Sequence, residues 1–228
     1  MDKNICGSTF TDPLVTNKKF EEIVRPYVVI KKLAAKTNFL DLGDIVSGVY
    51  YIKSGRTKHY IIGEDGSEKI LYTLSTGWLF GETSEVLNVP TGLISETMEN
   101  SEIWIIPHSA FSTLFNTNQI VRNAVMVNVC RKLRILRYDI EMLSFHPVKE
   151  RILHLFCSTA NPSELIDGKW YALYNKYTHY EVSTIIGSAR VTTSKLINEL
   201  CEDGAIRQVN HKIQVSKAAY DKMMNLCL

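Results

Sequence analysis

The chain reads as an α+β fold in three successive parts: an N-terminal antiparallel β-roll, one long helix, and a C-terminal helix-turn-helix with a β-hairpin wing. Three observations predict it. Short β runs punctuated by glycine fill residues 19–118. Met126, Val129, Leu133, Leu136, Ile140 and Leu143 recur at alternating steps of three and four within residues 119–145, a heptad seam. Residues 178–205, T-H-Y-E-V-S-T-I-I-G-S-A-R-V-T-T-S-K-L-I-N-E-L-C-E-D-G-A, read as two short helices around a glycine turn. The expected boundaries are an arm over 1–18, the roll over 19–118, the long helix over 119–145 and the winged part over 146–228.

The arm has no sustained period and contains Gly7 and Pro13. Phe20, Ile23, Val24 and Tyr27 then suggest a short helix or turn. The β runs are V-Y-Y-I at 49–52, H-Y-I-I at 59–62, K-I-L-Y-T-L at 69–74 and E-I-W-I-I at 102–106. Gly63-Glu64-Asp65-Gly66 supplies a hairpin turn, since its D-G pair tolerates positive φ. After Pro107 a short helix starts at His108, and the long helix runs from about Gln119 to Ser144. His146-Pro147 breaks it, because proline has no N–H to donate and clashes with the preceding turn. Residues 148–158 form a further amphipathic helix.

In the 178–205 stretch, Thr178 and Glu181 make a capping box. Val182, Ile185 and Ile186 share one helix face, and Gly187 ends that helix, where a left-handed residue is needed. Ser188 is the expected cap of the second helix, whose buried stripe is Thr193, Leu196, Ile197 and Leu200. Its other face carries Arg190, Val191, Ser194 and Lys195. An ordinary helical hairpin would share this pattern. The next residues of the chain decide against it: A-I-R-Q-V and K-I-Q-V flank Asn210-His211 as a β-hairpin, which completes a winged helix. Such a unit lays its second helix in the DNA major groove. Arg207, His211 and Lys212 are then expected to touch phosphates.

Composition is ordinary for a folded chain, with 45% hydrophobic and 22% charged residues, which excludes wholesale disorder. The net charge is only +2, so affinity for DNA must come from where basic residues cluster. No apolar run of about 18 residues occurs and the N-terminus lacks a signal-peptide core, so a cytoplasmic protein without membrane association is expected. Cys6, Cys130, Cys157, Cys201 and Cys227 are scattered without a C-x-x-C pair. Neither a metal nor a cofactor is expected, since zinc and iron–sulfur sites within one chain want clustered thiolates. Most of the five are expected to be small apolar residues.

The run V-Y-Y-I-K-S-G-R-T-K-H-Y-I-I-G-E-D-G-S-E-K-I-L-Y-T-L-S-T-G-W-L-F-G-E resembles the cyclic-nucleotide-binding β-roll, a jelly roll, of the CRP/FNR transcription regulators. With the long helix and winged helix, the resemblance covers nearly the whole chain. Within the family it is most similar to the CprK-like branch, halorespiration regulators that sense chlorinated phenols, through E-D-G-S-E-K-I-L-Y, an N-terminal I-C-G and a valine on the recognition helix. The resemblance implies a parallel homodimer paired along the long helix, double-stranded promoter DNA and RNA polymerase as partners, and a small effector. It also implies that Arg190 and Lys195 stand at two base-contacting positions, with Val191 where the family has glutamate. Ser194 can bond either base, and Thr192 is expected on phosphate. Valine packs on a thymine methyl but accepts nothing from cytosine, so an A·T-rich, TTAA-like palindrome is expected.

Nucleotide-binding relatives hold phosphate with a G-E-[apolar]-[small] turn and a later R-[ST]-A. Here Gly81-Glu82 is followed by Thr83-Ser84, and Thr91-Gly92-Leu93 stands where the arginine belongs. No Lys or Arg occurs from Ile70 to Val121. A phosphate buried without a cation loses its charge-assisted hydrogen bonds, so a cyclic nucleotide is not the expected effector. Cations do cluster on the long helix, as Arg122, Arg131, Lys132, Arg134 and Arg137, with no acidic residue between Gln119 and Tyr138. One reading is a solvated basic face. The sharper one sets Lys132 at heptad position g against Arg137 at e of a partner helix, a repulsion that a bound anion relieves. With Tyr72, Trp78, Leu79 and Phe80 nearby in the chain, an aromatic or other organic anion fits. The expected effector residues are Tyr72, Gly81, Glu82, Thr91, Lys132, Leu133 and Arg137.

Two other functions compete with this one. The same scaffold could sense redox state or a gas through Cys6 or a histidine. An enzyme could use His154 and Cys157 at helical spacing, but they sit among Ile152, Leu153, Leu155 and Phe156, and no catalytic motif appears. Core packing is the reading for that pair, and no enzyme is expected.

Overall fold

The computed structural model describes residues 18–226; the expected arm, with Cys6 and the I-C-G motif, and Cys227 lie outside the described residues, apart from residue 18 itself. Helix α1 (Lys18–Val24) buries Phe20 and Val24. Strands β1 (Val29–Leu33), β2 (Asn38–Leu40), β3 (Gly48–Ser54), β4 (Arg56–Ile62) and β5 (Glu68–Ser75) follow. Then come β6 (Leu79–Phe80), the short α2 (Glu82–Leu87), β7 (Ile94–Thr97) and β8 (Ser101–Pro107). They form two four-stranded antiparallel sheets, in the orders β1-β8-β3-β6 and β2-β7-β4-β5. The two sheets differ chemically. In β3 and β8 the runs Val49–Ile52 and Ile103–Ile106 are buried throughout and apolar. The other sheet buries polar groups, Thr57 and His59 at period two on β4 and Ser95 on β7. A buried polar wall must be hydrogen-bonded, and this one is where a site can form.

Helix α3 (His108–Thr117) and the long α4 (Gln119–Phe145) come next. Phe20, Val24, Val49, Tyr51, Leu79, Trp104, Ile106, Phe111, Leu114, Val121 and Val125 form one core cluster. Asn128 ties α4 to the roll: its Oδ1 accepts from Leu79 N at 3.0 Å, and its Nδ2 donates to Ala124 O at 2.9 Å. The hairpin turn between β4 and β5 closes through Gly66 N to Gly63 O at 2.9 Å and Ser67 N to Asp65 Oδ1 at 2.9 Å.

Among the described residues, those up to Ile61 together with Leu71–Leu133 form one compact unit. Ile62–Ile70 and the chain from Arg134 onward form the other. The second unit holds α5 (Val148–Ser158), β9 (Ala160–Ile166), β10 (Trp170–Leu173), α6 (His179–Ile186), α7 (Arg190–Glu202), β11 (Ile206–Val209), β12 (Lys212–Ser216) and α8 (Lys217–Leu226). Its core gathers Ile152, Phe156, Val182, Ile197, Leu200, Ile206 and Val215. A four-stranded sheet runs in the order β11-β12-β10-β9. Asn210 and His211, with φ of 50° and 59°, turn the β11–β12 hairpin, as a two-residue primed turn requires.

The capping box is present at α6: Glu181 N donates to Thr178 Oγ1 at 3.1 Å, and Thr178 N donates to Glu181 Oε2 at 2.7 Å. Gly187 ends the helix at φ 66°. At that end two cations satisfy orphan carbonyls, Lys69 Nζ on Ile185 O at 2.6 Å and Arg151 Nη1 on Ile186 O at 2.8 Å. Lys69 is also paired with Asp139 of α4 at 2.7 Å.

Two expectations need correction. The cap of α7 is Ala189, extended and with no side-chain bond, in place of Ser188, whose N–H is still tied to the end of α6 through Ser183 O at 3.0 Å. Lys132 does not point outward at a heptad g position; it is buried in its own roll against Glu82.

Candidate functional site

Within the roll, Lys132 Nζ lies 2.7 Å from Glu82 Oε1, and the two residues are 7% and 2% exposed. The ammonium stands 5.6 Å from the Tyr72 ring centre. Around the pair runs a ladder of rings. His59 is 5.3 Å from Tyr72 and 4.8 Å from Phe80, and Phe80 stacks on Tyr50 at 4.9 Å. Both nitrogens of His59 are engaged, Nε2 with Thr57 Oγ1 at 2.9 Å and Nδ1 with Ser95 Oγ at 3.0 Å. Burial, and then the neighbouring Lys132 charge, hold its pKa well below the usual histidine value, so the ring is neutral. Burial also lowers the Lys132 pKa, opposed by the Glu82 carboxylate. The Tyr72 hydroxyl is pushed up, first by burial and then by Glu82. Glu82 Oε2 is buried and has no hydrogen-bond partner.

Gly81 makes the geometry possible. It enters α2 at φ 82°, and a Cβ there would stand 2.9 Å from Tyr50 Cδ2 and 3.3 Å from Gly48 O. Gly81→Ala is expected to cost about 1–3 kcal/mol in a urea titration, from the left-handed backbone and the push on Tyr50. No loss of stability would show that the turn relaxes freely.

The structure thus brings Tyr72, Glu82 and Lys132 together beside Gly81. It does not bring the other expected effector residues to them. Thr91 is buried, but its hydroxyl closes a local turn with Leu93 O at 3.1 Å. Leu133 and Arg137 are exposed on α4. His59, Thr57 and Ser95 escaped sequence reading because a lone histidine among β residues carries no signal; only the period-two burial of Thr57 and His59 could have flagged them.

On the winged unit, Arg190, Val191, Thr192 and Lys195 are exposed on the first turns of α7, with Val191 at 83%. Lys195 is 4.0 Å from Glu199. Ser194 is half-buried and held by His179 Nδ1 at 3.0 Å. The Gln208 amide donates to His179 Nε2 at 3.2 Å, so Nδ1 carries the proton and Ser194 Oγ accepts, keeping its own proton for another partner. His179 was not foreseen as a positioning group. Arg207 is engaged within its own sheet, with Nε on Gln214 Oε1 at 2.7 Å, Nη2 3.3 Å from Asp167, and its guanidinium 4.7 Å from the Trp170 ring centre. His211 and Lys212 are exposed at the wing turn. The His154–Cys157 pair is buried: His154 Nδ1 meets Tyr138 Oη at 3.0 Å, and burial pushes the Cys157 thiol up to about 12. No helix among the described residues is long and apolar enough to cross a membrane.

Comparison with known proteins agrees with this architecture. Residues 30–118 match the Cyclic nucleotide-binding domain family. The cyclic AMP receptor protein of Thermus thermophilus is 23% identical over 177 residues, which is 78% of this chain and 79% of that protein. The solved structure of CLP, the c-di-GMP responsive regulator of Xanthomonas campestris, is 17% identical with a TM-score of 0.77 over 87% of this chain and 99% of that one. CprK complexed with OCPA is 22% identical with a TM-score of 0.72 over 92% and 96% of the two chains. Residues 30–118 thus carry the cyclic nucleotide-binding domain, and roll, long helix and winged helix together give the chain the fold of the CRP/FNR regulators that it is similar to.

Proposed function

We propose that the chain acts as a homodimer on an A·T-rich palindromic promoter site, in the manner of the CprK-like branch, with RNA polymerase as its partner there. In this reading the roll over 19–118 senses, the helix over 119–145 pairs two copies, and the part over 146–228 reads DNA. An aromatic or other organic anion sets DNA affinity by engaging Lys132 and Tyr72. The observation that carries this reading is the buried Lys132 among rings, in a roll without Lys or Arg over 71–121. CprK is complexed with OCPA, whereas the Thermus relative is a cyclic AMP receptor. With Thr91 where a phosphate arginine belongs, its hydroxyl turned to Leu93 O, a cyclic nucleotide fits poorly. Met126, Val129, Leu133, Ile140 and Leu143 are exposed along α4, the stripe a second copy would cover.

The test of the effector is a calorimetric titration of the full-length protein with benzoate, phenylacetate, phenol and cyclic AMP. Binding of an aromatic member without cyclic AMP supports the reading, and micromolar cyclic AMP binding sinks it. For DNA, selection from a random duplex pool is expected to return A·T-rich half-sites about 34–36 Å apart. Val191→Glu is expected to shift one position toward G·C by about 1–3 kcal/mol, since a glutamate accepts from cytosine N4. Recovery of G·C-rich half-sites by the parent would remove the role given to Val191. Thr192 is expected to set affinity through phosphate more than sequence choice. The redox alternative rests on Cys6, outside the described residues. A histidine is the other group through which that alternative would act, and loss of DNA binding on oxidation, reversed by thiol, would favour it.

A further inference from the structure

The Lys132–Glu82 pair is electrically neutral as it stands, and one oxygen of Glu82, Oε2, is buried without a donor. Shut away from water, such an oxygen is a standing acceptor that a ligand with a proton would satisfy. An organic anion arriving alone would instead add a second negative charge to a site with one cation. Burying an unpaired charge is far costlier than burying a hydrogen-bonded acid. Given the effector reading above, we propose that Glu82 makes effector binding proton-coupled: a weak organic acid enters together with one proton, its anionic oxygen takes Lys132, and the proton is shared with Glu82 Oε2. The balance is simple. An acid that is ionised in solution must gain one proton on binding, and one that is already neutral brings its own.

No other described group in this arrangement is free to take that proton. Lys132, facing from α4, has to keep its charge to hold the anion. Tyr72, facing from β5, is already protonated, and burial with the Glu82 charge keeps it so. His59, on β4, has both ring nitrogens occupied by Thr57 and Ser95, and protonating it would set a second cation near Lys132. Glu85, the next acid on α2, is paired with His108 Nδ1.

The experiment is calorimetry of the full-length protein with benzoate and phenylacetate, at one pH, in buffers of different ionisation enthalpy, repeated between pH 6 and pH 8. The parent is expected to take up one proton per carboxylate bound, and its affinity to fall about tenfold per pH unit. Phenol, neutral over that range, is expected to bind with no uptake and a flat profile. Glu82→Gln leaves Lys132 charged with no internal anion, so it is expected to bind the carboxylates without uptake, with a flat profile, and at least tenfold tighter than the parent at pH 8. Carboxylate binding by the parent with no proton uptake overturns the proposal while leaving the effector reading intact. Failure of both proteins to bind any of the three compounds ends both. The uptake measurement needs only the parent, so an unstable variant does not blunt the test.

Discussion

Lys132→Met is expected to destabilise the protein by about 3–5 kcal/mol, more than any other single substitution proposed for this chain. The cause is not the lost attraction but what remains: a Glu82 carboxylate, 2% exposed, with neither of its oxygens paired. Methionine fills a similar volume, so a cavity adds little. Adding Glu82→Gln removes the stranded charge, and the double variant is expected to recover most of the loss, since a neutral isostere of a buried pair is often tolerated. Urea titration of the parent, both singles and the double gives the coupling directly. A cost near zero for Lys132→Met would mean that the pair is solvated and that the site is not a dry, ring-walled enclosure.

Leu136→Glu is expected to dissociate the proposed dimer. Leu136 lies in the middle of the stripe that runs from Met126 to Leu143, most of it exposed on a single chain. In a paired helix the variant would set two carboxylates in one apolar layer, a penalty of several kcal/mol per dimer. Sedimentation is expected to give the parent at about twice the 25.9 kDa chain mass and the variant at the mass of one chain. An unchanged dimer would remove the long helix as the pairing element.

What was legible in the sequence is mostly what is decided locally. Thr178 and Glu181 cap α6 through bonds three residues apart, Gly187 stops it through its own φ, and Asn210-His211 turns a hairpin whose strands are adjacent. Each is a short-range choice that the side chains dictate. The strands β9 and β10 went unread because Asn161, Pro162 and Glu164 break the apolar alternation that marks a strand; pairing with β12 makes β10 part of a sheet. Helix α2 is too short for a period to show. The candidate effector site was half legible. Tyr72, Glu82 and Lys132 were each named, yet Lys132 was assigned to repel a partner helix. The heptad gives only its position on α4, and the contact across 50 residues to Glu82 depends on how Asn128 docks α4 on β6. Arg207, expected on phosphate from its charge, also meets Gln214, Asp167 and Trp170 within its own sheet, contacts that its charge alone does not reveal.

The measurement that bears most directly on an effector-gated DNA regulator is fluorescence anisotropy of the selected palindrome against the full-length protein, with and without saturating benzoate, phenylacetate or phenol. The expected result is saturable binding whose affinity changes at least tenfold with one of these compounds, a change lost when Tyr72 is replaced by leucine. An affinity for the palindrome that none of them alters, although calorimetry shows one bound in the roll, would contradict it.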